Sequence, residues 1–140
     1  MKRRLIDASS LMFLVKKADL ETARNFLQTS AILELTFYEV GNAIWKETCL
    51  MKSLTKAESE AIRNAAPIIL ARAERLPNEI TSFENILELS ENEKLSFYDA
   101  SYLSCAKDKE LILVTEDKRL TDKAKKYVQV ENMVSVLSAK

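Results

Sequence analysis

The stretch Leu95–Leu120 reads L-S-F-Y-D-A-S-Y-L-S-C-A-K-D-K-E-L-I-L-V-T-E-D-K-R-L. Its pattern predicts a helix, a turn, a strand and the start of another helix. Ser96 can cap the helix that carries Asp99. Leu111–Val114 is an unbroken apolar run with β propensity, set between Lys109-Glu110 and Thr115-Glu116-Asp117. Such a run suits a strand buried on both faces of a parallel sheet. Asp117 then stands where the strand ends, and ligands of open α/β sheets bind outside the carboxyl ends of the strands.

Outward from this stretch the same alternation recurs. Arg3–Ile6 is expected to be a first strand ending at Asp7, with a helix from Ser9 or Ser10 to Val15. Leu20–Leu27 is expected to be a second helix and Ala31–Leu35 a second strand. Thr36 opens a helix to about Met51. Thr55-Lys56-Ala57-Glu58 has the form of a capping box and opens a long helix. Ile62, Ala65, Ile69, Ala73 and Leu76 give that helix an apolar face. Pro67 is expected to kink it and Pro77 to end it. Asn78–Thr81 is a candidate third strand and Phe83–Leu89 a helix. Beyond Leu120 come a helix to Lys126, a strand at Val128–Val130 and a terminal helical turn at Met133–Leu137. Strands alternating with helices predict one α/β domain over residues 1–140, with a parallel sheet covered by helices on both faces.

The 140 residues suffice for one ordinary domain, and 47% of them are hydrophobic. Lys plus Arg is 21 and Asp plus Glu is 21, so an all-over electrostatic grip on nucleic acid is not available. Histidine is absent, which removes a Ser-His-Asp mechanism and the usual zinc ligand. The two cysteines, Cys49 and Cys105, are expected to be buried, reduced thiols. Asp7 interrupts any signal-peptide core after the basic start Met1-Lys2-Arg3-Arg4, and Leu11–Val15 is too short to span a membrane; a cytoplasmic protein is expected. No G-x-G-x-x-G or P-loop is present.

Four acids stand out: Asp7, Glu39, Asp99 and Asp117. Each has a plain structural explanation. Asp7 and Asp117 can cap the helices that follow them, and Thr36-x-x-Glu39 and Ser96-x-x-Asp99 fit capping boxes. Jointly they suggest more. Asp7 and Asp117 follow buried strands, Glu39 follows the second strand by one helical turn, and parallel strands end at one edge. If Asp99 folds back to that edge, four carboxylates meet and repel one another. A hard divalent cation would remove the repulsion. Ser9 and Thr115 lie two residues from Asp7 and Asp117 and can support a carboxylate. Asn42 shares the helix face of Glu39, and a plain solvent-facing role is the alternative.

Taken together, L-I-D-A-S-S, T-F-Y-E-V-G-N-A-I-W-K, F-Y-D-A-S-Y-L-S-C-A and L-V-T-E-D-K-R-L resemble the PIN-domain nucleases, and within them the VapC-like toxins of toxin–antitoxin pairs. The resemblance implies a three-layer α/β/α sandwich with a central parallel sheet of about five strands, and a metal-dependent endoribonuclease. By position, Asp7, Glu39, Asp99 and Asp117 would hold Mg²⁺ or Mn²⁺, with Ser9 and Thr115 as polar supports. Glu116 would either face solvent or help bind a second ion. The ion would lower the pKa of a water and offset phosphoryl charge, giving 5′ phosphate and 3′ hydroxyl ends. A VapB-like antitoxin on a separate chain and a homodimer are implied partners, with Leu50-Met51 and the long helix as contact surfaces. Lys46, Lys118 and Arg119 could contact RNA phosphates, or be solvated surface charges. Trp45 could stack on a base, but burial is the expectation. The other readings are a non-catalytic binding module, a PIN nuclease of RNA processing, and a phospho-acceptor receiver domain. The last lacks the second acid that should adjoin Asp7.

Overall fold

A computed structural model describes residues 3–138. Met1 and Lys2, which belong to the basic start considered above, lie outside the described residues, as do Ala139 and Lys140. Five parallel strands form the sheet: β1 (Arg4–Ile6), β2 (Ser30–Leu33), β3 (Glu74–Leu76), β4 (Ile112–Val114) and β5 (Val130–Glu131). Their spatial order is β3-β2-β1-β4-β5, with helices on both faces, so the three-layer arrangement is as expected.

Alternation along the strands divides the core in two. Ile6, Ile32 and Val114 point to one face, beneath α1 (Ala8–Lys17), α2 (Leu20–Leu27), α4 (Lys56–Leu70) and α8 (Met133–Ser138). Leu5, Ala31, Leu33 and Leu113 point to the other, beneath α5 (Phe83–Glu93), α6 (Phe97–Asp108) and α7 (Lys118–Ala124). The edge strands β3 and β5 are short and charged. Arg3 reaches Glu74 at 2.7 Å and Arg4 reaches Glu131 at 2.8 Å, which blunts both edges against further pairing.

The caps follow the sequence in most places. Asp7, Asp19 and Asp117 accept the Ser10, Thr22 and Leu120 amides, and Ser96 accepts the Asp99 amide at 3.1 Å. The Thr55–Glu58 capping box forms in both directions, at 2.9 and 3.1 Å.

Several expectations are corrected. The fourth helix does not run to Pro77. It ends at Leu70, one turn after Pro67 removes a backbone donor, and Glu74–Leu76 leaves the helical pattern to pair with β2. Backbone ladder bonds to Ala31–Leu33 outweigh a weak helical preference there. Ile80–Ser82 is a 3₁₀ turn, not a strand. The second strand stops at Leu33, so α3 (Glu34–Trp45) begins before Thr36. Thr36 is therefore not its N-cap residue but its third residue. It lies in the first turn, and its hydroxyl accepts the Leu33 amide at 3.1 Å. A π-helical turn, Lys46–Leu50, extends α3. Cys49 is exposed and Cys105 half-buried, so the buried-thiol expectation fails, though both are unpaired. Trp45 is 50% exposed rather than buried.

The central strands carry the stability. Leu113→Ala deletes a side chain fully enclosed on β4 and should cost about 3 kcal/mol. Thr55→Ala, which breaks an exposed cap, should cost about 1 kcal/mol. Urea denaturation of the two variants beside the wild type checks the difference, and an equal loss would contradict this account.

Candidate active site

The chain leaves β1 toward β2 and β3, then returns across the sheet to β4 and β5. The directions diverge between β1 and β4, which is where an open α/β sheet presents a crevice at its strand ends. Register places Ile6 opposite Val114, so Asp7 and Thr115 emerge side by side. The Asp7 amide still donates to the Val114 carbonyl at 3.0 Å.

Asp7 is buried and accepts three hydrogen bonds. Thr115 Oγ1 donates to Oδ2 at 2.5 Å, Ser9 Oγ to Oδ1 at 2.7 Å, and the Ser10 amide to Oδ1 at 2.9 Å. Ser9 Oγ also accepts the Glu116 amide at 3.0 Å, and Thr115 Oγ1 accepts the Asp117 amide at 3.0 Å. Two hydroxyls thus join the ends of β1 and β4 through one carboxylate. Burial pushes the Asp7 carboxyl up from 3.8 to about 6; its three hydrogen bonds pull the other way, and the charge of Asp99 adds to the rise.

The other acids share this field. Glu39 is raised by burial first, opposed by a hydrogen bond from Tyr102, then raised by the charges of Asp99 and Asp7. Asp99 is raised by burial and by Asp117, and lowered by Arg119. Asp99 therefore does fold back to the same edge. Asp117 lies at the exposed rim and caps α7 through Leu120 at 2.9 Å. Asp7, Glu39 and Asp99 thus feel one another's charge, and Asp117 acts on Asp99. Among the described residues, however, no three acid, histidine or cysteine side chains are gathered tightly enough to chelate an ion as they stand.

The supporting residues divide. Ser9 and Thr115 are where the sequence suggests. Asn42 is exposed, and no side-chain hydrogen bond joins it to an acid among the described residues, which favours the solvent-facing alternative. Lys46, Lys118 and Arg119 are all exposed, and only Arg119 is close enough to Asp99 to influence it. Glu116 is engaged with the protein: its Oε2 accepts Ser10 Oγ at 2.6 Å and the Met133 amide at 2.7 Å, tying the start of α8 to α1. In the sequence Ser10 and Thr36 read only as helix starts, and Tyr102 carries no assigned role. A signal existed for Tyr102, which sits three residues past Asp99 on α6 and so one turn along the same face.

The crowded carboxylates set a pH dependence. An acid whose folded pKa lies above its unfolded one binds its proton more tightly when folded, so its contribution is full below about pH 4 and is lost as pH rises to about 6. Asp7→Asn should raise the stability of the metal-free protein at pH 7.5 by on the order of 2 kcal/mol, and flatten its decline between about pH 4 and 6. Urea titrations in EDTA across that range check this. A variant weakened equally at all pH values would show instead that the hydrogen bonds of Asp7 outweigh its buried charge.

Comparison with known proteins agrees with this fold. The family described as PIN domain matches residues 4–126. The chain is 35% identical over 135 residues to the protein named Exonuclease VapC9 of Pyrobaculum aerophilum, covering 96% of each. It superposes on the crystal structure of PAE2754 from Pyrobaculum aerophilum with a TM-score of 0.81 at 30% identity, over 99% of this chain and 88% of that one. DNA-bound VapBC from Salmonella typhimurium shares the fold alone, with a TM-score of 0.65 at 16% identity, over 95% of this chain and 99% of that one. A buried aspartate between β1 and β4, three further acids at the same sheet edge and a family match across nearly the whole described chain place it among the PIN domain proteins.

Proposed function

We propose that this chain, as a single PIN domain over residues 1–140, is a metal-dependent ribonuclease and the toxin of a toxin–antitoxin pair. The observation that carries the reading is the meeting of Asp7, Glu39, Asp99 and Asp117 at one sheet edge, where burial and like charge push three of them up. A relative named as a VapC exonuclease at 35% identity supports it.

Asp7, Glu39, Asp99 and Asp117 would hold Mg²⁺ or Mn²⁺. The donor set fits: it is all oxygen and crowded with like charge, and such ions suit carboxylate and water ligands. Mg²⁺ keeps several waters and needs only one or two carboxylates plus substrate phosphate, so a tight three-acid cage is not required. When bound, the ion would activate water and offset charge on the phosphoryl oxygens. The rest falls to the chain. Ser9 and Thr115 fix Asp7 in one rotamer. Arg119 and Lys118 stand exposed beside Asp117, where a phosphate backbone would pass, and Lys46, exposed at the start of the π-helical turn, is a further candidate contact. Trp45, half exposed at the end of α3, offers a stacking face.

Partners follow from exposed apolar surface. Leu50, Met51 and Ile68 are exposed near the π-helical turn and on α4. Tyr38, Ile80, Phe83 and Tyr98 line a cavity of about 690 Å³ to which none of the four acids contributes. Apolar area of this kind suits a VapB-like antitoxin on a separate chain and a second copy of this chain. Among the described residues no helix is long and apolar enough to cross a membrane, and the two unpaired cysteines suit a cytoplasmic location.

The test is cleavage of RNA labelled at the 5′ or the 3′ end, with Mn²⁺ or Mg²⁺, beside EDTA and Asp99→Asn. Loss of a supporting residue at a metal site costs about 10–100-fold, so loss of a ligand should exceed about 100-fold. Internal fragments from both labels would assign endonucleolytic cutting. Stepwise shortening from one end would assign the exonucleolytic mode in the relative's name. Undiminished cleavage in EDTA or in Asp99→Asn would sink the proposal.

A further inference from the structure

Behind the four acids lies a buried hydrogen-bond chain. Tyr102, on α6, is 1% exposed, yet its hydroxyl is not idle. It donates to Glu39 Oε1 at 2.8 Å and lies 2.7 Å from Thr36 Oγ1. Thr36 Oγ1 in turn accepts the Leu33 amide at 3.1 Å.

Counting hydrogens fixes the direction of the chain. A phenol carries one hydrogen, and Tyr102 gives it to Glu39. Thr36 must therefore donate to Tyr102, while its oxygen accepts from Leu33. The sequence runs one way, from the Leu33 amide through Thr36 and Tyr102 to Glu39, and ends on a carboxylate. Leu33 is the last residue of β2, so the chain is anchored in the sheet itself. Burial and the charge of Glu39 drive the Tyr102 phenol far above its ordinary value, which keeps it a donor.

We propose that Tyr102 is a positioning residue for Glu39, holding Oε1 from behind so that the other carboxylate oxygen faces the crevice and the incoming cation. Glu39 sits on α3 with three side-chain torsions and is repelled by Asp7 and Asp99. Unrestrained, it would turn toward solvent. The Tyr102 bond opposes that turn, and no protein donor is bonded to Glu39 Oε2 among the described residues. Packing alone does not call for the hydroxyl, because a Phe ring would fill the same space without two polar partners to satisfy. The inference rests on the metal-dependent reading above.

The experiment uses the full chain and Mn²⁺ alone, followed by titration calorimetry, with melting of the metal-free protein measured in parallel. Tyr102→Phe keeps the ring and removes the donor. It should weaken Mn²⁺ binding by about tenfold or more, with cleavage recovered toward the wild-type rate at raised Mn²⁺. Thr36→Ser keeps the hydroxyl and should bind as wild type, whereas Thr36→Val breaks the chain one link back and should weaken binding. A purely structural Tyr102 would lower the melting temperature without this pattern. Mn²⁺ affinity within twofold of wild type in Tyr102→Phe overturns the proposal. If Tyr102→Phe does not fold, equal binding by Thr36→Ser and Thr36→Val overturns it. Wild-type protein that binds no Mn²⁺ removes the metal-dependent reading, and this inference with it.

Discussion

The hydrogen bond from Thr115 to Asp7 ties the ends of two central strands together through a buried carboxylate. Parallel pairing of β1 with β4 brings the two residues side by side, and Ser9 and the Ser10 amide complete the hold. A lone carboxylate in this position would cost several kcal/mol of solvation. Three donors offset part of that cost, and the proton affinity of Asp7 records the remainder. The strand ends, the start of α1 and the turn into α7 are all fixed by contacts to this one group or to its two hydroxyl partners.

Around this point the protein holds like charges close together. The charge of Asp99 adds to the burial of Asp7, and the charges of Asp99 and Asp7 add to the burial of Glu39. Interactions of this kind weaken a fold and are found where chemistry needs them. The structure limits the penalty by placing rigid elements behind each acid. Asp7 and Asp117 cap helices, Ser96 caps the helix of Asp99, and Tyr102 backs Glu39. For Asp7 and Asp117, capping and site assembly are therefore not rival explanations. A side chain at the first turn of a helix, just past a strand, satisfies backbone donors and faces the crevice at once.

Glu116 shows how far the supporting network extends. Its carboxylate receives Ser10 from α1 and the first amide of α8, so the C-terminal helix is fastened within one residue of both Thr115 and Asp117. The parts of the chain nearest the site are joined by side chains from at least three separate segments.

Local sequence determined the helices with clear caps, the buried strand Ile112–Val114, the alternation that implies a parallel sheet, and the four acids with Ser9 and Thr115. Those signals are carried by short-range chemistry: a capping side chain reaches a backbone amide two or three residues away, and a doubly buried strand must be continuously apolar. Only the tertiary structure decided the rest. Glu74–Leu76 became a strand because β2 offered it a ladder. Thr36 lost its expected N-cap place when β2 ended at Leu33, and its hydroxyl meets the Leu33 amide and Tyr102. Trp45 stayed exposed because α3 buries its other face. Contacts such as Thr36 with Tyr102, or Ser10 with Glu116, join residues distant in sequence, and no local pattern specifies them. They exist because the sheet order brings those segments together.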